Sequence, residues 1–455
     1  MKNTDVLIIG GSAAGMVAAL TGKAHNPTKD FILVKKQKDV MVPCGIPYIF
    51  GTLESSEKNL MPVDTMMEKN GITSIVDEAT EIIHKEKKVR FKSGEEIKYD
   101  KLVIATGSTP VKPKWLQGAD LENVFVIPKD RYYLDDMIAR LASIKKVAVI
   151  GAGFIGVELS DELNKRGYAV TLIEKLPHIL NLAVDEELSV KIEELIQTRG
   201  VKVLSGNGIK EVRGKGKVES VLLEDGSSLE MDAVILSMGY KPNTALANQS
   251  GIYVDEDNFI AVDEYMRTHE KDIFAVGDCA QKRDFITRKR VPTMLASTAC
   301  AESRIAGMNL FNLHVVKTFI GTIAIYSTAI GDIGFGTAGV TEQRAKEEGI
   351  DSIQGLFEGI DRHPSNLPGA HKQIVKLVTA RHSGVIIGGE VIGGPEAGEL
   401  TNVIGLAIQN RMTVNSLLTA QIGTHPCLTA SPAAYPLIKA AESIAISMLK
   451  NAAAI

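Results

Sequence analysis

A cysteine held between a proline and a glycine, in Met41-Val42-Pro43-Cys44-Gly45-Ile46-Pro47-Tyr48, is the residue best placed in this sequence for covalent chemistry. The thiolate, not the thiol, attacks disulfide, persulfide or peroxide, and an anion at a helix start is stabilised by the helix dipole and the unpaired amides. Gly45 permits close backbone approach, and Pro47 suits a first helical turn, where its missing N–H costs nothing. The segment is therefore expected to lower the pKa of Cys44. The other three cysteines, Cys279, Cys300 and Cys427, read as small packed side chains.

Two glycine turns could hold phosphate. The first follows an apolar run, Val6 to Ile9, in Gly10-Gly11-Ser12-Ala13-Ala14-Gly15, and leads into a helix-forming stretch from Met16 to Lys23. Backbone N–H groups and the helix dipole then point at an anion. Gly10 and Gly15 take the first and third positions of the G-x-G-x-x-G pattern, and Ser12 takes the second. The second turn is cleaner: strand Lys146 to Ile150, then Gly151-Ala152-Gly153-Phe154-Ile155-Gly156, a helix to about Arg166, and a strand Ala169 to Ile173. Glu174 closes that strand, where a carboxylate accepts both ribose hydroxyl protons, which favours NADH with NADPH as the alternative.

These sites need a large scaffold. The 455 residues suffice for about three domains at roughly 150 residues each. A hydrophobic content of 45%, a charged content of 23% and a formal net charge of −4 exclude a basic face for nucleic acid. No apolar run reaches the length of a membrane span, and the first strand begins where a signal peptide would stand, so the expected place is the cytoplasm. Four scattered cysteines with no C-x-x-C spacing argue against a disulfide framework and against a metal site.

Further segments carry a resemblance. Tyr99-Asp100-Lys101-Leu102-Val103-Ile104-Ala105-Thr106-Gly107-Ser108 is similar to the "YDxLxxATGS" motif of the flavin-dependent pyridine nucleotide-disulfide oxidoreductases. Asp272-Ile273-Phe274-Ala275-Val276-Gly277-Asp278 resembles their "DIFAxGD" motif, and Met238-Gly239-Tyr240-Lys241-Pro242 resembles the return from the NAD to the flavin domain. The resemblance implies an α/β protein with two Rossmann-like domains and a C-terminal α+β dimerisation domain. FAD would be held by residues 1–112 and 242–318, NAD(P)H by 113–241, and 319–455 would form the interface of a homodimer. It implies cofactor contacts at Gly10, Ser12, Ala14, Gly15, Thr106, Gly107, Asp278 and Ala296, on a helix starting near Thr293, and at Gly151, Gly153, Ile155, Gly156, Glu158, Glu174 and Gly239. Glu158 matches a glutamate near the nicotinamide.

Two-cysteine members of the family carry a second cysteine five residues after the first; here Ile49 stands there. Cys44-Gly45-Ile46-Pro47-Tyr48 instead matches the "CGxPY" segment of the single-cysteine branch: coenzyme A-disulfide reductases, NADH oxidases, NADH peroxidases and sulfur or polysulfide reductases. That resemblance makes Cys44 the redox residue. Thr424-His425-Pro426-Cys427-Leu428-Thr429-Ala430 resembles "HPTxxE", whose histidine exchanges protons in the partner subunit's site, although Ala430 replaces the glutamate. His425 then protonates a leaving thiolate, since a free imidazole titrates at about pH 6.5. Two departures stand out. Lys35 and Lys36 replace the acid expected after Phe31-Ile32-Leu33-Val34, which leaves Lys35 to meet a phosphate or to lie solvated. Asn366 and Leu367 replace the paired tyrosines of coenzyme A-disulfide reductases, which weakens coenzyme A as a ligand.

The expected activity is transfer of two electrons from NAD(P)H through FAD to a disulfide, polysulfide or sulfur at Cys44. The alternatives are an oxidase or peroxidase cycling through a cysteine sulfenic acid, and an electron-delivery module for a protein partner.

Overall fold

The computed structural model describes residues 2–317 and 320–452, so the expected boundary at 318/319 lies outside the described residues. Three sheets organise the chain. The first has seven strands, with the parallel order Thr73–Val76, Phe31–Lys35, Lys2–Ile9, Glu96–Ile104, and Ile273–Ala275 added from far downstream on the edge of Glu96–Ile104. The central strands are buried on both faces and rich in Val, Ile and Leu, as parallel strands covered by helices must be. The opening strand begins at Lys2, earlier than the apolar run suggests, because Lys2, Asn3 and Thr4 continue the ladder with Ile97, Lys98 and Tyr99.

The second sheet is a five-stranded parallel unit ordered Val124–Val126, Ala233–Leu236, Lys146–Ile150, Ala169–Ile173, Lys202–Leu204. The chain enters and leaves it through an antiparallel ribbon in which Ser108–Pro110 pairs with Tyr240–Pro242. The third sheet is antiparallel, with five strands ordered Ile325–Ile330, Ile333–Gly339, Ile386–Gly393, Lys372–Ala380, Ser352–Ile360. Helices Ala397–Gln409 and Pro436–Ala452 cover it.

Each glycine turn has a steric cause. Gly10 and Gly151 lie at φ +121° and +97°, a region that side chains resist. The third glycine of each turn lets helix and strand touch: a Cβ on Gly15 would fall 1.8 Å from the Gly10 carbonyl oxygen, and one on Gly156 1.9 Å from that of Gly151. The helices run over Ala13–His25 and Phe154–Lys165.

A buried cation joins the second unit to the third. The Lys376 side chain, 2% exposed, sends its ammonium from the third sheet to Asp185 Oδ2 at 2.8 Å, to Glu342 Oε2 at 2.8 Å and to Glu187. Asp185 also accepts from the backbone N–H groups of Glu342 and Gln343, at 3.0 Å each, and donates its own N–H to Glu390 Oε1 at 2.7 Å. Burial opposes its charge, but Lys376 and the Gln343 amide hold its carboxyl below the usual range, while burial pushes Glu390 well above it. Removing one member of such a cluster strands the others, at about 3–5 kcal/mol. K376M is therefore expected to lower the unfolding free energy by about that amount, measured by urea denaturation. Because the folded pKa of Asp185 is depressed, its contribution is present above the unfolded carboxylate range and disappears as pH falls through the folded value.

Candidate active site

One cavity of about 1100 Å³ runs between the three sheets, larger than the roughly 300–1,000 Å³ of a single-ligand pocket. Of the residues singled out in the sequence, it brings together Ser12, Ala14, Cys44, Gly107, Gly151, Gly153, Ile155, Glu158, Glu174, Gly239, Asp278 and Ala296. Gly10, Gly15 and Gly156 lie behind the lining as packing residues, and Thr106 ties the crossing segments, donating from Oγ1 to the Asn243 carbonyl at 2.6 Å. The helix expected near Thr293 begins at Ala296.

The turns are shaped for anions. Neither helix Ala13–His25 nor helix Phe154–Lys165 has a side-chain cap at its start, which leaves first-turn amides open to a ligand. Gly107 and Gly153 face open space where a Cβ would stand. Glu174 accepts from the Ala152 N–H at 2.7 Å and the Leu176 N–H at 2.9 Å, which fixes its carboxylate at the strand end. Beside it, Lys175 pairs with Glu224 at 2.9 Å. Asp278 accepts from Ser108 Oγ at 2.7 Å and Lys129 Nζ at 2.8 Å. Burial works against the charge of Asp278, yet Lys129 and Ser108 hold its carboxyl below the usual range.

Lys35 departs from both readings of the sequence. It is neither solvated nor turned to the cavity: its side chain is 3% exposed and its ammonium donates to the Lys38 carbonyl at 2.5 Å and to Asp64 at 2.9 Å. Its stem packs where a Cβ on Gly11 would come within 2.6 Å of Lys35 Cβ, so the second glycine of the turn makes room for it.

The expected depression of the Cys44 pKa is also corrected. Cys44 sits in a three-residue 3-10 turn, Pro43–Gly45, followed by a second turn Pro47–Phe50, so no long helix begins at its own segment. The thiol opens on the cavity, but the protein around it pushes its pKa up, and the Glu158 carboxylate adds to the shift more than any other charge, with Lys129 opposing. Glu158 accepts from Thr328 Oγ1 at 2.5 Å, and burial, with a contribution from Glu162, raises it to about 7. Cys279 is buried, donating weakly to the Val276 carbonyl. Within one chain His425 does not line the cavity. It is exposed in a loop, its N–H bound to Thr429 Oγ1 at 3.0 Å and its Nδ1 accepting from the Cys427 N–H at 3.2 Å.

Several lining residues escaped the sequence reading. Tyr326, Ser327 and Asn402 reach the cavity from the third unit, and Tyr326 stacks on Phe154 with ring centroids 4.8 Å apart. Lys129 and Trp115 come from the linker into the second unit. No local spacing marks any of them: Tyr326 finds Phe154, and Lys129 finds Asp278, more than a hundred residues away.

The chain matches the family described as pyridine nucleotide-disulphide oxidoreductase over residues 4–303, and that family's dimerisation domain over 325–434. It belongs to the pyridine nucleotide-disulfide oxidoreductases. Membership implies FAD and NAD(P)H, and the uncapped helix starts and open glycines fit dinucleotides. An NADH oxidase of Methanocaldococcus jannaschii is 30% identical over 98% of this chain and 99% of its own length. An NAD(P)H coenzyme A polysulfide/persulfide reductase of Pyrococcus horikoshii is 31% identical over 85% of this chain and 87% of its own. The structure of an NAD-dependent persulfide reductase from A. fulgidus superposes with a TM-score of 0.89 at 29% identity, covering 99% of this chain and 84% of that one.

The glycines of the second turn divide into two kinds. Gly153, in open space at an ordinary φ of −72°, is expected to accept valine with little change in Tm while the KM for NADH rises about tenfold, a loss of about 1.4 kcal/mol. Gly156→Ala is expected to lower Tm instead, since the Gly151 carbonyl cannot give way. Thermal melts beside steady-state kinetics separate the two.

Proposed function

We propose that this protein is an NAD(P)H-dependent flavoprotein that reduces a polysulfide, persulfide or low-molecular-weight disulfide through Cys44. The observation that carries the reading is a shared cavity: Cys44 lines the same space as both nucleotide turns, with Ala296 and Asp278 beside it. In this reading residues 1–112 and 242–318 hold FAD, residues 113–241 hold NADH in preference to NADPH, and 319–455 mediate dimerisation.

FAD, once bound by these residues, would supply the two-electron relay between the nicotinamide and the sulfur at Cys44. The chain's own residues do the rest. The uncapped amides after Gly10 and Gly151 hold the phosphates, and Glu174 takes the nicotinamide dinucleotide's ribose and disfavours a 2′-phosphate. Asp278, held ionised by Lys129, orients the flavin's polar chain. Cys44 forms and releases the bond to substrate sulfur.

A homodimer would bring His425 to a partner's cavity, and the exposed Leu406, Leu428 and Leu449 of the C-terminal unit supply apolar surface for such an interface. Coenzyme A enters as one disulfide or persulfide carrier, supported by the Pyrococcus relative's name and opposed by Asn366 and Leu367 at the tyrosine positions. Among the described residues no helix is long and apolar enough to cross a membrane; a cytoplasmic place remains our reading. The second reading, an oxidase or peroxidase using a Cys44 sulfenic acid, draws on the Methanocaldococcus relative.

Cys44→Ser is expected to abolish NADH-driven reduction of polysulfide and coenzyme A disulfide while leaving bleaching of the flavin by NADH intact. Parallel assays with peroxide and oxygen decide between the readings: turnover confined to those two acceptors favours the oxidase. Turnover of the sulfur acceptors that survives the substitution removes Cys44 from the mechanism.

A further inference from the structure

We propose that Glu162 is a positioning residue for Cys44: from helix Phe154–Lys165 it grips Thr52 and so sets where the redox segment stands in the cavity. This rests on the reading of Cys44 given above and adds a residue to it.

Cys44 lies in an excursion, residues 36–62, between strand Phe31–Lys35 of the first sheet and helix Val63–Lys69. The excursion closes on itself through a short ladder of Val40–Met41 with Leu60–Met61 and through Asn59 Nδ2, which donates to the Val42 carbonyl at 3.0 Å. It is also tied to the second unit along its length. At its two stems Gln37 donates to Asp130 Oδ2 at 2.5 Å, and Arg131 donates to Asp39 at 2.7 Å and to Glu57 at 3.0 Å. At its tip the turn Pro47–Phe50 packs on helix Phe154–Lys165, and Ile46, Ile49 and Phe50 share one buried apolar cluster with Leu159 and Leu163. A sulfur that belongs to the first unit by sequence is thus seated against the second.

Glu162 supplies the polar part of the hold at the tip. Its carboxylate accepts from the Thr52 N–H through Oε2 and from the Thr52 hydroxyl through Oε1 at 2.8 Å, and Lys165 Nζ donates to the same hydroxyl at 2.8 Å. Two directed bonds from one carboxylate to one residue fix orientation as well as distance. Gly51 completes the fit. A Cβ there would fall 2.5 Å from both the carbonyl oxygen and Oε2 of Glu162, and at a φ of −143° the exclusion of a side chain comes from that contact. Glu162 is 4% exposed and stands outside the cavity lining, so it acts through Thr52 and not on substrate. The helix that carries it begins at the second glycine turn, about 12 Å away at 1.5 Å per residue. One rod therefore registers the nucleotide turn and the redox segment against each other.

The test uses the holoenzyme, and rapid mixing separates bleaching of the flavin by NADH from its reoxidation by polysulfide. Misplacement by about 1 Å costs a reacting group about 100-fold. Glu162→Ala is therefore expected to slow reoxidation by about that factor, with bleaching and the KM for NADH unchanged. Gly51→Ala presses on the same contact from the other side and should give the same split. Glu162→Gln loses the charge, and with it the effect on Glu158, but keeps an acceptor for the Thr52 N–H and should reoxidise close to the unsubstituted rate. Amide hydrogen exchange reads the grip without turnover: the peptide spanning Thr52 should lose protection in both alanine variants and keep it in the glutamine variant. If the alanine variants misfold, Thr52→Val decides, since it deletes only the hydroxyl bonds to Glu162 and Lys165 and should slow reoxidation but not bleaching. Unchanged reoxidation in the folded variants, equal slowing of both half-reactions, or a glutamine variant as slow as alanine overturns the proposal. Failure of the functional reading looks different: Cys44→Ser itself then leaves NADH-driven sulfur reduction intact.

Discussion

The position of the third sheet depends on one buried cation. Lys376 stands among Asp185, Glu187 and Glu342, which come from the start of helix Glu186–Thr198 in the second unit and of helix Glu342–Glu347 in the third. Charges withdrawn from water tolerate only arrangements in which each finds its counterpart. The cluster therefore fixes how the C-terminal sheet meets the second nucleotide unit. Its consequence is local and chemical: Tyr326 lies on Phe154, and Thr328 reaches Glu158. Without that docking the wall of the cavity opposite the nucleotide turns would be open.

The cavity balances two kinds of carboxylate. Asp278, supplied with Lys129 and Ser108, is kept as an anion despite its burial. Glu158, supplied with one hydroxyl and flanked by Glu162, is not. The same depth in the protein thus gives two acids different proton affinities, and the difference comes from their partners and not from burial alone. Cys44 falls on the unfavourable side of that balance. Burial and the Glu158 carboxylate raise its pKa, and Lys129 opposes them, while its own segment is only a short turn.

The nucleotide turns show how far backbone sterics constrain a sequence. Gly10, Gly15, Gly151 and Gly156 have no freedom to change, because carbonyl oxygens stand within 2.7 Å of any added Cβ. Gly153 faces emptiness at an ordinary φ, so its constraint comes from the ligand, whereas Gly107, equally unhindered, is held to glycine by its φ of +69°. Lys35 belongs to neither group. It replaces an expected acid, and the chain absorbs it by burying its stem against Gly11 and giving its ammonium to Asp64.

The sequence alone determined the parallel strands, the two glycine turns and the membership of Cys44 in a short Pro-Cys-Gly segment. These are local patterns: apolar runs that must be covered, φ values that only glycine adopts readily, and a thiol beside a tight turn. It also determined that Glu174 ends a strand, since the strand and the helix before it are both legible. Tertiary structure alone decided which groups share the cavity. Tyr326, Ser327 and Asn402 lie far along the chain from Cys44, and nothing near them in sequence marks their destination. It also decided the protonation of Glu158 and Cys44, because desolvation and the charge of neighbours are set by packing between units. A sequence lists ionisable groups; only the folded chain says which of them have lost their water and what has replaced it.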